Sequence, residues 1–267
     1  MLPSLNLLIR RKEVMCYDDN ARPPLPARAT GKAHGEDIVL TAADGNHFAA
    51  YFARPEAPAK GQVIIYPDVR GLHQFYKELA LRFAEIGLPA LALDYFGRTA
   101  GVASRQEGFE CMPHIQQMQL KTFFLDVRAA LDYLREQGNK GEATFPVGFC
   151  IGGAFSFLSG TQQAFELAGV ISFYGGLPKV FPEAGAMLDQ VENITCPVLG
   201  LFGSADQNIP IGTVRTLETR LNARGLENHI IVYEGAPHGF FDQLASEYAA
   251  ISADAWKQIQ NFIAAHH

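Results

Sequence analysis

Residues 147–157 read VGFCIGGAFSF, in which Cys150 stands between Gly148 and Gly152. The apolar run ATFPVGFC, which ends at this cysteine, is typical of a buried strand, and the residues from Ile151 onward predict a helix. The segment therefore predicts a strand, a sharp turn and a helix, with Cys150 at the turn. A cysteine in this position is either an exposed nucleophile or a small apolar residue that fills space at the turn.

Strands and helices alternate on both sides of this segment. Continuous apolar runs of strand length recur along the chain, which is typical of strands covered on both faces. Apolar residues at helical spacing separate them, as in the series Leu120, Phe124, Val127, Leu131 and Leu134. The pattern predicts an α/β fold with a mostly parallel central sheet and helices on both faces. The predicted strands include QVIIYPD, PALALDY, ATFPVGFC, LAGVISFYG, PVLGLFG and HIIVYEG.

Length and composition predict one structural domain behind a short arm. The chain has 267 residues, of which 48% are hydrophobic and 19% charged, enough to bury a full core. The Pro- and Ala-rich lead predicts an extended N-terminal arm over residues 1–35, and residues 36–267 are expected to form a single domain. The stretches 95–113 and 175–196 have no clear periodicity, so we expect them to be loops that shape a site.

Charge and hydropathy exclude several classes of protein. The formal net charge is −6 and no basic patch occurs, which argues against nucleic acid as a partner. A short apolar run near the N-terminus is followed by Arg10 and Arg11, unlike an export signal. Because no apolar run reaches the length of a membrane span, we expect no membrane contact. The expected protein is cytoplasmic, and either a monomer or a homodimer.

The cysteines lack the spacing of a disulfide framework or a complete metal site. Free thiols are therefore expected in a cytosolic chain. Cys111 and His114, in CMPH, have the spacing of half a metal site, but no second pair lies nearby in sequence. We expect Cys111 to pack in its loop and His114 to open the following helix. The four cysteines are Cys16, Cys111, Cys150 and Cys196.

The polar residues that follow Cys150 favour its interpretation as a nucleophile. LFGSAD ends a predicted strand and puts Asp206 in the next loop, and YEGAPHGFF puts His238 after the last predicted strand. Nucleophile, acid and histidine in this order, each at the carboxyl end of a strand, are typical of the α/β-hydrolase fold. The helix N-terminus at Cys150 would favour a thiolate, and the backbone amide of Ile151 would face a developing oxyanion.

At these residues the chain resembles the dienelactone hydrolase family. The resemblance extends from about residue 36 onward, and its most specific parts are GFCIGG, PDVRG, DYFGRTAG, GSAD and APHGFF. It implies an α/β-hydrolase fold and hydrolysis of a small lactone or carboxylic ester through an acyl-thioester, with no metal or organic cofactor. Carried over, Cys150 resembles the nucleophile, Asp206 the acid that orients the imidazole, and His238 the general base.

The resemblance also implies roles for residues around this triad. The backbone amides of Ile151 and Val69 correspond to the oxyanion hole, and Asp68 stands where the family usually has a glutamate that helps to activate the thiol. Arg98 corresponds to an arginine that binds the substrate carboxylate. A second family arginine is replaced here by Asp242. We therefore expect only a weak preference for anionic substrates.

Two other functions stay open on the sequence alone. A catalytically silent binding protein with this fold would be expected to lack a triad residue, and none is missing. A thiol redox sensor would need a resolving cysteine, for which the fold would have to bring Cys111 or Cys196 close to Cys150. His73 and Tyr76, in GLHQFYKE, are candidates for the pocket mouth or for capping and surface positions.

Overall fold

The structure is a computed structural model, and it describes residues 21–26, 31–103, 105, 108–138, 140–176, 181 and 184–267. Cys16 and most of the predicted arm lie outside these residues. Within them, eight strands form one sheet in the order β1-β2-β4-β3-β5-β6-β7-β8. The strands are β1 Ala33–Thr41, β2 His47–Pro55, β3 Gln62–Tyr66, β4 Ala90–Leu93, β5 Thr144–Phe149, β6 Val170–Phe173, β7 Val198–Gly203 and β8 Asn228–Tyr233.

The sheet is parallel from β4 to β8, which confirms the predicted architecture. β1 pairs antiparallel with β2, and β2 pairs antiparallel with β4. Every other pair of neighbouring strands is parallel. Five strands, β3 to β7, are buried along their whole length, as their continuous apolar runs predict. β1 begins at Ala33, so the antiparallel edge includes the last residues of the segment expected to be an arm.

Helices cover the sheet and connect its parallel strands. The long helix that begins at Leu120 buries Phe123, Val127, Leu131 and Leu134 and leaves Phe124 half-buried, so the predicted apolar stripe is confirmed with a small rotation. The α-helices are α1 Gln74–Glu85, α2 Gly97–Ala100, α3 Met112–Ile115, α4 Leu120–Gln137, α5 Ile151–Ser159, α6 Met187–Gln190, α7 Ile211–Ala223 and α8 Ala249–Ala265, with 3₁₀ turns at Gln163–Phe165 and Val191–Asn193.

The C-terminal helix ties distant parts of the chain together. Trp256 of α8 packs with its ring centroid 4.8 Å from that of Phe83 in α1 and 5.8 Å from that of Phe241 in the loop after β8. Its indole Nε1 donates a 2.8 Å hydrogen bond to the carbonyl of Pro24, so residues 21–26 lie against this helix. Among the residues described, no helix is both long enough and apolar enough to cross a membrane.

Candidate active site

Cys150 sits at the turn between β5 and α5, as the sequence predicts. Its backbone has φ 56° and ψ −117°, a conformation that residues other than glycine rarely adopt. Its amide donates a 3.1 Å hydrogen bond to the carbonyl of Phe173 at the end of β6, which holds the turn against the sheet. The thiol therefore stands at the carboxyl end of the parallel strands and at the N-terminus of a buried helix.

The glycines around Cys150 are required by close backbone packing. A Cβ at Gly148 would collide with the carbonyl of Gly152, and a Cβ at Gly152 would collide with the carbonyls of Tyr66 and Pro67. A Cβ at Gly153 would lie 2.6 Å from the Cα of Gly175. The strand and the helix can approach this closely only without side chains at these positions.

Asp206 and His238 meet above the same edge of the sheet. Asp206 lies after β7 and His238 after β8, and these strands are parallel neighbours. The imidazole Nδ1 donates a 2.7 Å hydrogen bond to Oδ2 of Asp206, while Oδ1 of the same carboxylate accepts the amides of Asn208 at 2.8 Å and Ile209 at 3.2 Å. These bonds fix the carboxylate, which in turn fixes the imidazole and its tautomer.

The electrostatics of His238 link it to Cys150. Burial alone would lower the pKa of the imidazole. The charge of Cys150, the hydrogen bond to Asp206 and the polar interaction with Cys150 outweigh burial and raise the pKa of His238 well above its ordinary value of 6.5. His238 is thus hydrogen-bonded to Asp206 and coupled electrostatically to Cys150.

The predicted oxyanion hole consists of two backbone amides. Ile151 is the first residue of α5, and the first amides of a helix have no acceptor within it. Val69 follows Asp68 in the loop after β3, the parallel neighbour of β5. Among the described residues, neither amide donates to another backbone carbonyl. The predicted positions are therefore compatible with an oxyanion hole.

Asp68 lies in the predicted loop but faces an arginine. Its carboxylate is fully buried and accepts Nε of Arg70 at 3.3 and 3.1 Å, with Nη2 of Arg70 3.0 Å from Oδ2. The amide of Arg70 also donates to Oδ1 at 2.9 Å. Both carboxylate oxygens are thus occupied by Arg70, and activation of the thiol by Asp68 stays a prediction that these contacts do not favour.

Arg98 lies in an ion-pair cluster between the β1–β2 turn and α4. Its guanidinium binds Asp126 through Nε at 2.9 Å and Nη2 at 2.8 Å, and Asp44 through Nη1 at 2.7 Å. Nη2 also donates to the carbonyl of Thr122 at 3.1 Å. These contacts anchor the loop that carries α2 and do not support the predicted role in binding a substrate carboxylate.

Asp242 is buried beneath the site. Its Oδ2 accepts the hydroxyl of Tyr76 at 3.3 Å, and its Oδ1 accepts the amide of Gln243 at 2.6 Å. Burial, followed by the charge of nearby Asp68, raises the pKa of Asp242. The position that carries an arginine in the resembled family therefore holds a buried acid, bonded to a tyrosine from α1.

The remaining candidates have structural contacts. His73 caps α1, since its Nδ1 accepts the amide of Phe75 at 3.3 Å. His114 stacks on Phe109, with ring centroids 5.1 Å apart. Cys111 is buried at the start of α3, and burial, together with the charges of Asp68 and Cys150, raises its pKa. In the part of the chain that the structure describes, no three His, Cys, Asp or Glu side chains are grouped to hold a metal.

Comparison with known proteins identifies the family. The model of the dienelactone hydrolase family matches residues 48–267. The chain belongs to this family. As a member, it is a hydrolase of the class that acts on lactones and carboxylic esters, and it has the α/β-hydrolase fold.

Two relatives agree with this membership, and a solved structure shares the fold. A protein of Methylorubrum extorquens named "Putative carboxymethylenebutenolidase" is 28% identical over 254 residues, which cover 91% of this chain and 84% of the relative. A protein of Synechocystis with the same name is 29% identical and covers 79% of this chain and 89% of its own. The crystal structure of a dienelactone hydrolase-like promiscuous phosphotriesterase from metagenomic libraries superposes with a TM-score of 0.72 at 24% identity, over 88% of this chain and 99% of that one.

Arg70 is the site residue that sequence reasoning missed. It stands two positions after Asp68, in the PDVRG segment that carries the resemblance. Its position directly after a buried strand, at the sheet edge where the triad residues were expected, is a signal that could have identified it.

Proposed function

We propose that this protein hydrolyses a lactone or carboxylic ester through a Cys150–His238–Asp206 triad and an acyl-thioester intermediate. The observation that carries the proposal is the position of Cys150 on a strained turn at the N-terminus of α5, at the same edge of the sheet as the hydrogen-bonded pair His238 and Asp206. A small buried cysteine would need neither the positive φ nor a polarised imidazole beside it.

The proposed reaction begins with attack of the Cys150 thiolate sulfur on the substrate carbonyl carbon. The carbonyl π electrons move to oxygen, and the amides of Ile151 and Val69 bind the resulting oxyanion. When the tetrahedral intermediate collapses, the bond to the alkoxy oxygen breaks and His238 gives that oxygen a proton. An acyl-thioester remains on Cys150, with the alcohol still tethered when the substrate is a lactone.

Water completes the proposed cycle. The neutral imidazole of His238 accepts a proton from water as its oxygen attacks the thioester carbonyl. Collapse of the second tetrahedral intermediate breaks the carbon–sulfur bond, releases the carboxylic acid and restores the thiolate. Asp206 keeps Nδ1 protonated throughout, so that Nε2 is available for both proton transfers.

The test is to trap the intermediate. The protein is mixed with an activated aryl ester, quenched in acid and digested, and the peptide that contains Cys150 is weighed by mass spectrometry. We expect one acyl group on Cys150 in the wild type and none in Cys150→Ala, whose kcat/KM should fall at least about 10³-fold while its circular dichroism is unchanged.

The matched control is Cys196→Ala, at a cysteine whose pKa burial raises to about 12. This variant should keep both acylation and turnover. Unchanged turnover in Cys150→Ala would overturn the proposal. A protein that hydrolyses no ester but forms a Cys150 disulfide under mild peroxide would instead be the thiol sensor.

A further inference from the structure

The charge of Arg98 is already compensated by the protein. Two carboxylates, Asp44 and Asp126, bind its guanidinium at 2.7–2.9 Å, and the side chain of Asp126 is only 2% exposed. A substrate carboxylate would have to compete with both acids for the same donors. Arg98 is therefore poorly suited to anchor an anionic substrate.

Arg70, the cation beside the triad, is also compensated. Its side chain is 13% exposed and binds both oxygens of Asp68, which is completely buried. Its charge acts on the buried groups of Cys111 and Asp242. Because the ion pair lies in a poorly solvated region, Asp68 cancels much of the field that Arg70 would otherwise direct toward a substrate.

Asp242 adds a second acid to the same group. It is 1% exposed, and its electrostatic neighbours include Asp68, His238 and Arg70. Burial and the charge of Asp68 raise its pKa, so Asp242 is either a neutral acid or a second negative charge. In both protonation states, Asp68, Arg70 and Asp242 together carry no net positive charge.

The surroundings of this charge cluster are aromatic. Tyr174 is buried, its ring lies 4.8 Å from the ring of His238, and burial and the charge of Asp242 raise its pKa well above the ordinary value. Tyr95 is buried near Asp68 and Cys150, and its hydroxyl donates to the carbonyl of Pro67 at 2.9 Å. These phenols stay neutral, so an anion that enters here loses hydration without gaining a compensating charge.

We infer that the enzyme acts on uncharged lactones and esters and discriminates against anionic ones, and that Asp68 sets this preference by neutralising Arg70, with a contribution from Asp242 when it is ionised. The inference rests on the proposed hydrolysis and adds the substrate class. Specificity is the difference between the binding free energies of two substrates. The negative charge of the acids makes binding of an anionic substrate less favourable and leaves binding of a neutral one unchanged.

The experiment compares two aryl esters of nearly equal size. One is the 4-nitrophenyl monoester of adipic acid, whose acyl chain ends in a carboxylate, and the other is the same ester of adipic acid monoamide. Because the leaving group and the chain length are the same, the ratio of the two kcat/KM values reports the effect of charge. We expect the wild-type enzyme to favour the amide at least about tenfold.

Variants then assign the preference to residues. Asp68→Asn should shift the ratio toward the anionic ester by about tenfold or more, since Arg70 loses its counter-charge, and Asp242→Asn should shift it in the same direction by a smaller factor, at pH values at which Asp242 is ionised. Arg98→Gln is the matched control, and it should leave the ratio unchanged. Since the measurement is a ratio, a general loss of activity in a variant does not alter its meaning.

The outcomes separate this inference from the proposed function. Equal turnover of both esters, or preference for the anionic one, would overturn the inference while leaving the hydrolase intact. An unchanged ratio in Asp68→Asn and Asp242→Asn would remove these acids from the explanation. Failure of the wild type to acylate on Cys150 with either ester would overturn both. Should both variants be too unstable to assay, the wild-type ratio still decides the substrate class.

Discussion

Asp206 controls the proton of His238 through one hydrogen bond of 2.7 Å. In the acyl-enzyme Cys150 carries no charge, so the hydrogen bond and the charge of Asp206 are what oppose the lowering of the pKa of His238 by burial. Deacylation needs the neutral imidazole, and kcat should therefore rise with pH through the pKa of His238 when deacylation limits turnover. Asp206→Asn should move this limb toward acid and lower its plateau about 10²- to 10⁴-fold.

Measured pH profiles of kcat check this prediction. Asp132→Asn, on the exposed face of α4, is the control and should reproduce the wild-type profile. A limb that moves toward alkali in Asp206→Asn would mean that the carboxylate does not stabilise the imidazolium.

A second prediction at the scale of one residue concerns Arg98. Arg98→Ala would leave Asp126 buried with Asn46 as its other partner, at 3.0 Å. The loss should lower the free energy of unfolding by about 1–3 kcal/mol and reduce kcat/KM for anionic and neutral esters alike. Urea unfolding and the two-ester assay measure these effects.

The control for Arg98→Ala is the same substitution at Arg54, an exposed arginine of β2. Arg54 pairs with Glu36 with both side chains about half exposed, and Arg54→Ala should cost less than about 1 kcal/mol. A loss confined to the anionic ester in Arg98→Ala would restore the substrate-binding role that the family resemblance implies.

At the scale of elements, the β5–turn–α5 unit depends on the approach of two backbones. Gly152→Ala would push a methyl group into the carbonyls of Tyr66 and Pro67 at the end of β3, which no rotamer change can relieve. We expect a loss of at least about 3 kcal/mol in the free energy of unfolding, together with loss of turnover as the thiol shifts.

Gly212→Ala is the matched control, in the first turn of α7. A Cβ there meets nothing within 4 Å, so the change should alter the free energy of unfolding by less than about 1 kcal/mol. Equal stability of the two variants in thermal and urea unfolding would mean that the turn is less tightly packed than the structure indicates.

At the scale of the whole molecule, the single tryptophan reports whether the protein unfolds as one cooperative unit. Trp256 contacts Phe83 in α1, Phe241 in the loop after His238, and Pro24 near the N-terminus. Because these contacts link both ends of the sheet, we expect tryptophan fluorescence and far-ultraviolet circular dichroism to follow one coincident transition in urea. Two separate midpoints would show that α8 unfolds independently of the sheet.

The sequence predicted most of the fold because its evidence is local. Apolar runs identified the buried strands, and Gly87, with a φ of 91°, follows the end of α1 where a glycine is typical. The β5–turn–α5 unit was predicted from the segment that contains Gly148 and Gly152, where close backbone packing leaves no room for a Cβ. Prediction was weaker for α4, where Phe123 rather than Phe124 faces the core, because a stripe of apolar residues leaves the helix rotation uncertain by one position.

What the sequence by itself determined is the order of elements and the order of the candidate catalytic residues. Parallel strands bring their carboxyl ends to one edge, so Cys150, Asp206 and His238 lie at the same edge once each follows its strand. The placement of these candidate residues is therefore a consequence of topology that a linear pattern can encode.

The tertiary structure alone decided which charges meet. Arg98 could have reached any of several acids, and its partners Asp44 and Asp126 lie 54 and 28 positions away in the sequence. Arg70 and Asp242 are likewise far apart in sequence and close in space, on the loops after β3 and β8. Ion pairs depend on which loops pack together and on how far water is excluded from them. The residues that neighbour a charged side chain in the sequence determine neither property.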